Sequence, residues 1–230
     1  MRSNLKYKGT WGVIFDMDGV LIDSYRAHFL SWKRMLRNHG MDMTEQQFAA
    51  TFGQTTPDIL ARLCPSLKPE DYAGLAEEKE AAFRHIIRSE FPEMDGAAQL
   101  IAALHKAGAI LAIGSSGPPE NLQTVLTLLG GAEHFAATTN GSEITHGKPH
   151  PEVFLKAASK IGVPAERCVV VEDAPAGVKA AKSAGCAVIA LTGTVTREHL
   201  GGANLVVDSL RELTPEVFKK LIWHTSGSLE

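Results

Sequence analysis

Three short apolar runs that each break off into polar residues constrain this chain most. Residues 11–15 (WGVIF) give way to Asp16, residues 110–113 (ILAI) to Gly114-Ser115-Ser116, and residues 168–171 (CVVV) to Glu172-Asp173. Runs of this length and β-favouring content read as strands buried on both faces. Residues 187–191 and 205–207 are two further strand candidates, and 134–139 is a weaker one. Between them lie helical stripes: Leu100, Ile101 and Leu104 before Gly108; Leu122, Val125, Leu126 and Leu129 before Gly130; Val153, Phe154, Ala157 and Ile161. Residues 175–184 form a fourth, with a proline at its start and Gly185 after its end. This alternation predicts an α/β fold, a Rossmann-like parallel sheet with helices on both faces.

Residues 25–91 break the alternation. They hold no strand pattern and much helix-forming sequence, 69–88 included. They read as a helical cap (25–91) inserted after the first strand of a catalytic core built from 1–24 and 92–230. Residues 77–80 (EEKE) read as a solvated helix face. Residues 226–230 read as an appended tail.

Composition closes off several classes. Lys plus Arg total 23 against 26 Asp plus Glu, so neither nucleic acid nor an anionic membrane is an expected partner. The longest apolar runs, such as 186–191, are too short to span a bilayer, and residues 1–8 lack a signal-peptide core. A cytoplasmic protein is expected, monomeric or weakly dimeric. Cys64, Cys168 and Cys186 are odd in number and widely spaced, so free thiols are expected.

In an open parallel sheet, ligands bind outside the carboxyl ends of the strands. Asp16-Met17-Asp18-Gly19, Ser115-Ser116-Gly117 and Glu172-Asp173 should therefore converge, although they are far apart in the chain. Several carboxylates at one point repel each other, and a divalent cation with a preference for oxygen, Mg2+, resolves the conflict. Ser115, Ser116 and Lys148, the last in Gly147-Lys148-Pro149-His150-Pro151, could hold a phosphate. Such a site suits metal-assisted phosphoryl chemistry on a small phosphorylated metabolite. Each piece alone is ordinary turn or cap sequence; their order and placement after strands carry the reading. His150, beside Lys148, reads as a cap for the following helix. His39, His85, His105, His199 and His224 show no metal-site spacing.

The stretches FDMDGVLIDS (15–24), AIGSSG (112–117), GKPHPEVF (147–154) and VVVEDAPAGVKAAKSAG (169–185) together resemble the haloacid dehalogenase superfamily. The likeness is to the branch holding β-phosphoglucomutase, phosphoglycolate phosphatase and small sugar-phosphate phosphatases. The resemblance implies Asp16 as nucleophile forming an aspartyl phosphate, and Asp18 as general acid and base. It implies Ser115 and Lys148 as phosphate grips. Asp16, the backbone carbonyl of Asp18, and Asp173 would ligate Mg2+, with Glu172 a ligand or a partner behind the ligands. The presence of Asp18 disfavours dehalogenation.

His28 and Trp32, four apart on one helix face, resemble the start of that branch's cap, where a His and a Trp meet substrate. Gln54 and Thr55, in Phe52-Gly53-Gln54-Thr55-Thr56-Pro57, are the other candidate substrate contacts. Thr56 stands where the mutase has an Arg for a second phosphate, and Pro118-Pro119 where it has Lys and Asn. Neutral residues are poor substitutes for an Arg fork. The expected activity is thus Mg2+-dependent hydrolysis of a small phosphate monoester. The alternatives are a phosphosugar mutase, an inorganic pyrophosphatase, or a non-enzymatic module on the same fold.

Overall fold

A computed structural model of the protein describes residues 9–51, 56–65 and 68–225. The chain divides into two units, one of Met1–Asp23 with Glu93–Glu230 and the other of Ser24–Pro92. In chain order the described elements begin with β1 (Gly12–Phe15), α1 (Tyr25–Asn38), α2 (Glu45–Ala49), α3 (Thr56–Leu63) and α4 (Tyr72–Ser89). There follow α5 (Ala97–Lys106), β2 (Ile110–Gly114), α6 (Pro119–Leu128), β3 (Phe135–Thr139) and α7 (Glu152–Lys160). The last are β4 (Cys168–Glu172), α8 (Pro175–Ser183), β5 (Ala187–Leu191), β6 (Leu205–Val207) and α9 (Pro215–Thr225).

The six strands form one sheet in the order β3-β2-β1-β4-β5-β6, and every pairing is parallel. This is the predicted α/β architecture. Ile14, Ala112, Val170 and Val188 share one face, where they pack with Val153, Phe154 and Ala157 of α7 and Val178, Ala180 and Ala181 of α8. Side chains alternate along a strand, so Val13, Phe15, Leu111, Ile113 and Val169 take the opposite face. All five are fully buried, and α5 and α9 pack against the sheet. Burial on both faces is why the strands read as continuous apolar runs rather than alternating ones.

The register aligns the carboxyl ends of the central strands. Phe15 lies opposite both Ile113 of β2 and Val171 of β4. The next residue, Asp16, donates its N–H to the Val171 carbonyl at 2.9 Å. The chain leaves β1 to β2 on one side and reaches β4 on the other, so β1 sits at the switch point where ligand crevices form.

In the helical unit, α1 and α4 make the main packing pair. Trp32, Met35 and Leu36, at helical spacing on α1, join Met43, Phe48, Ile59, Leu60, Cys64 and Leu75 in one apolar cluster. Thr44 and Gln47 form a reciprocal capping box that starts α2, at 3.2 and 2.8 Å. The helix predicted over 69–88 is split: a single 3-10 turn spans Pro69–Asp71, and the α-helix begins at Tyr72. All three cysteines are buried and free, as expected. No helix among the described residues is long and apolar enough to cross a membrane.

Phe154 is completely buried between α7 and the sheet. Phe154→Ala should lower unfolding stability by about 3–5 kcal/mol through lost burial and the cavity left behind, read from urea-induced unfolding.

Candidate active site

β1 ends in Asp16, and the chain then turns back on itself. Leu21 and Ile22 donate to the Met17 carbonyl at 2.9 and 3.2 Å, and Gly19 donates to Ile22 at 2.8 Å. Gly19 has φ +73, a left-handed conformation that glycine adopts without steric cost. A Cβ at that position would overlap the Asp173 carboxylate. The glycine after Asp18 thus serves both the turn and the approach of Asp173.

β4 ends in Glu172, which is fully buried, followed by Asp173, 5% exposed. Glu172 Oε2 accepts the backbone N–H groups of Asp173 and Ala174 at 2.7 and 2.8 Å. Its Oε1 lies 2.5 Å from Lys148 Nζ. That ammonium also lies 2.9 Å from Asp16 Oδ1 and sits 5.0 Å from the centroid of the Phe154 ring. Asp173 Oδ2 accepts a hydrogen bond from the Thr194 hydroxyl. The carboxylates of Asp16, Glu172 and Asp173 each place an oxygen within 4.8 Å of the others, and all three residues are buried.

One ammonium faces three carboxylates, and burial penalises each charge that is left uncompensated. Burial raises the Asp16 carboxyl to about 7, with Glu172 adding to the rise against the pull of Lys148. Asp173 is raised well above the usual carboxylate range, again by burial and then by Glu172. Burial works against the Lys148 ammonium, but Asp16 and Glu172 outweigh it and raise its pKa. The cluster carries a deficit of positive charge among hard oxygen donors, and these residues fit a divalent cation such as Mg2+.

β2 ends in Gly114 and leads to Ser115, whose hydroxyl accepts the Gly117 N–H at 3.0 Å. Ser115 is buried, and its N–H donates to the Thr139 carbonyl at 3.0 Å. Ser116 is exposed. Asp18 is half-buried, and one of its carboxylate oxygens lies 4.0 Å from where a Gly117 side chain would begin. The structure therefore gathers Asp16, Glu172, Asp173 and Lys148, with Asp18 close to the Ser115–Gly117 loop.

On the helical unit, the His28 ring stacks on Phe83 with centroids 4.2 Å apart. Its Nδ1 lies 2.9 Å from Lys79 Nζ. Trp32 is 4% exposed, within the apolar cluster of that unit. Gln54 and Thr55 lie outside the described residues.

Of residues 77–80, read as a solvated face, Glu77 is exposed as expected, but the structure withdraws Lys79 and its neighbour Glu80 from solvent. Lys79 is 4% exposed, and its ammonium reaches His28, Glu80 Oε1 at 2.8 Å and the faces of Trp32 and Phe83. The signal was present in the spacing: Lys79 lies four residues from both Leu75 and Phe83, on the buried stripe of α4. Thr194 was also missed. It follows β5, the next strand to end on the same edge of the sheet.

The haloacid dehalogenase-like hydrolase family matches residues 12–185. Hexitol phosphatase A of Escherichia coli is 33% identical over 208 residues, covering 88% of this chain and 93% of that protein. The β-phosphoglucomutase of Bacillus subtilis is 30% identical over 213 residues, covering 89% and 92%. A solved β-phosphoglucomutase from Clostridium difficile superposes with a TM-score of 0.81 at 25% identity, covering 95% of this chain and all of that one. The chain belongs to the haloacid dehalogenase-like hydrolases, and within them it is a hydrolase of phosphoric monoesters.

Gly177, on α8, stands against Glu172: a Cβ there would overlap the carboxylate. Replacing a helical glycine with alanine ordinarily stabilises by about 0.5–1 kcal/mol. Gly74→Ala on α4, where nothing lies within 4 Å of an added Cβ, should do so. Gly177→Ala should reverse the sign and cost about 1–3 kcal/mol by overpacking. Denaturation midpoints of the two variants, measured side by side, test this.

Proposed function

We propose that the protein hydrolyses a small sugar or polyol monophosphate through a phosphorylated Asp16, with Mg2+ bound by Asp16, Asp173 and the backbone carbonyl of Asp18. The observation that carries the reading is the buried cluster of three carboxylates and one lysine at the sheet's switch point. The names of the relatives support the substrate class: a hexitol phosphatase and a phosphosugar mutase lie at similar identity.

In this reading an Asp16 carboxylate oxygen attacks phosphorus as the ester P–O bond breaks, and Asp18 gives its proton to the departing oxygen. Asp18 then takes a proton from water. The resulting hydroxide attacks phosphorus, the acyl phosphate bond breaks, and phosphate leaves with Asp16 restored as a carboxylate. Bound Mg2+ supplies charge neutralisation between the carboxylates and the phosphoryl group. Lys148 and Ser115, with the Ser116 backbone, hold the phosphoryl oxygens as negative charge builds on them. Glu172 holds Lys148 through one oxygen and the start of the Asp173 segment through the other. Thr194 aims Asp173.

In this reading His28 is the contact for the sugar or polyol end, and the buried Lys79 holds its ring through Nδ1. The Lys79 ammonium donates to His28 Nδ1, which assigns the ring proton to Nε2.

Phosphate release should be measured across hexose 1- and 6-phosphates, hexitol phosphates, phosphoglycolate and pyrophosphate, with Mg2+ and with EDTA, identifying every product. Strong release from one monoester, abolished by EDTA and by Asp16→Asn in a folded protein, is the expected outcome. Conversion of β-glucose 1-phosphate to glucose 6-phosphate without net phosphate release would replace the phosphatase with a mutase. Lys79→Met and His28→Ala should each lower kcat/KM for that substrate by about 10- to 100-fold, the range of one lost hydrogen bond in a buried setting. Neither should affect hydrolysis of a minimal aryl phosphate comparably. Equal losses on both substrates would remove the helical unit from substrate recognition.

A further inference from the structure

A second group of ligand-type side chains lies apart from the carboxylate cluster. His146, His150 and Glu152 each place one donor atom within 4.8 Å of the other two. The two imidazole rings face each other at 4.6 Å between centroids, tilted by 37°. His146 Nδ1 is already 3.3 Å from Glu152 Oε2. Both histidines are exposed, so an ion arriving from solvent can reach them. The reading of His150 as a helix cap does not hold: Pro151 precedes α7, and no side chain caps that end.

The surroundings fix the group in place. His150 donates its N–H to the Gly147 carbonyl at 3.0 Å, a turn that brings the two rings to the same side. The Glu152 carboxylate is anchored by the backbone N–H groups of Thr145 and His146, at 3.1 and 3.0 Å. Lys156 takes Oε1 at 2.8 Å, while Oε2, which also accepts the Thr145 N–H at 3.2 Å, is the oxygen that faces the His146 ring. A carboxylate held in this way by donors behind it is oriented for coordination without having to reorganise.

We propose that His146, His150 and Glu152 form a surface site for a borderline transition-metal cation, Zn2+ or Ni2+. Imidazole nitrogens with one carboxylate suit these ions, whereas the all-oxygen cluster around Asp16 suits Mg2+, so the two sites select different metals. Zn–N bonds of about 2.0–2.1 Å set donor atoms about 3.3 Å apart. His146 and Glu152 stand at that separation already, and rotation of the exposed His150 ring closes the third side. Water completes the coordination. The loop between the two histidines carries Lys148, so an ion seated there braces the backbone next to the acidic cluster.

The test is calorimetric titration of tag-free protein with Ni2+ under saturating Mg2+. One Ni2+ per chain is expected. His146→Ala and His150→Ala should each weaken binding about 10-fold or more, and Glu152→Gln should weaken it to a similar degree. A control pair, His105→Ala with His134→Ala, removes two other histidines whose rings stack at 4.2 Å; it should bind as the wild type does. Absence of Ni2+ uptake, wild-type affinity in the doubly substituted His146→Ala/His150→Ala protein, or loss of binding in the control pair would each overturn the site.

Discussion

A lysine ammonium held between two buried carboxylates, with a third alongside, is the constraint around which the α/β unit is arranged. Burying charge costs several kcal/mol per ion unless partners compensate, and here compensation is incomplete. The raised Asp16 and Asp173 carboxyls are the measure of that shortfall. A cluster of this kind is a poor way to stabilise a fold. It makes sense as a site prepared for positive charge that the chain itself does not supply. The local features around it share that purpose: two backbone N–H groups on Glu172, the Thr194 hydroxyl on Asp173, and glycines at 19 and 177 where side chains would collide with the carboxylates.

The parallel sheet makes the cluster affordable. Asp16, Ser115 and Glu172 are remote in sequence, and no local motif brings them together. Register does: Phe15 pairs with both Ile113 and Val171, so the residues that follow emerge at one level on one edge. Both faces of these strands are covered, which fixes register strongly, since a one-residue slip would turn every buried side chain to the wrong face. Precision at the site is thus inherited from the apolar core beneath it. Phe154 joins the two directly, filling the core on one side and lying under the Lys148 ammonium.

That inheritance explains what could be read in advance. The strands announced themselves because burial on both faces demands unbroken apolar runs. Their polar ends then gave Asp16, Ser115, Glu172 and Asp173 as neighbours without any contact being seen. The first strand begins one residue later than predicted and the weak sixth candidate is a true strand, Phe135–Thr139. What escaped depended on tertiary context. Lys79 looks solvated because it stands among three glutamates, and its four-residue spacing from Leu75 and Phe83 gains weight only once α4 packs on α1. Thr194 sits in a Thr-Gly-Thr turn that looks like any loop, and its meaning comes from where β5 ends. The histidines at 146 and 150 are four apart, but in a proline-rich turn rather than a helix, so helical spacing rules gave no cue.

The buried lysine also bears on how many phosphates the helical unit is suited to receive. From sequence, Thr56 in place of an arginine argued against a second phosphate grip, and Lys79 reopens the count by placing a cation on that unit. Its ammonium, however, is paired with Glu80 at 2.8 Å, and the pair is nearly withdrawn from solvent on both sides. A phosphate dianion brought to Lys79 would have to compete with Glu80 for that ammonium, which is costly in so dry a setting. The helical unit thus carries its buried ammonium already matched by a carboxylate of its own.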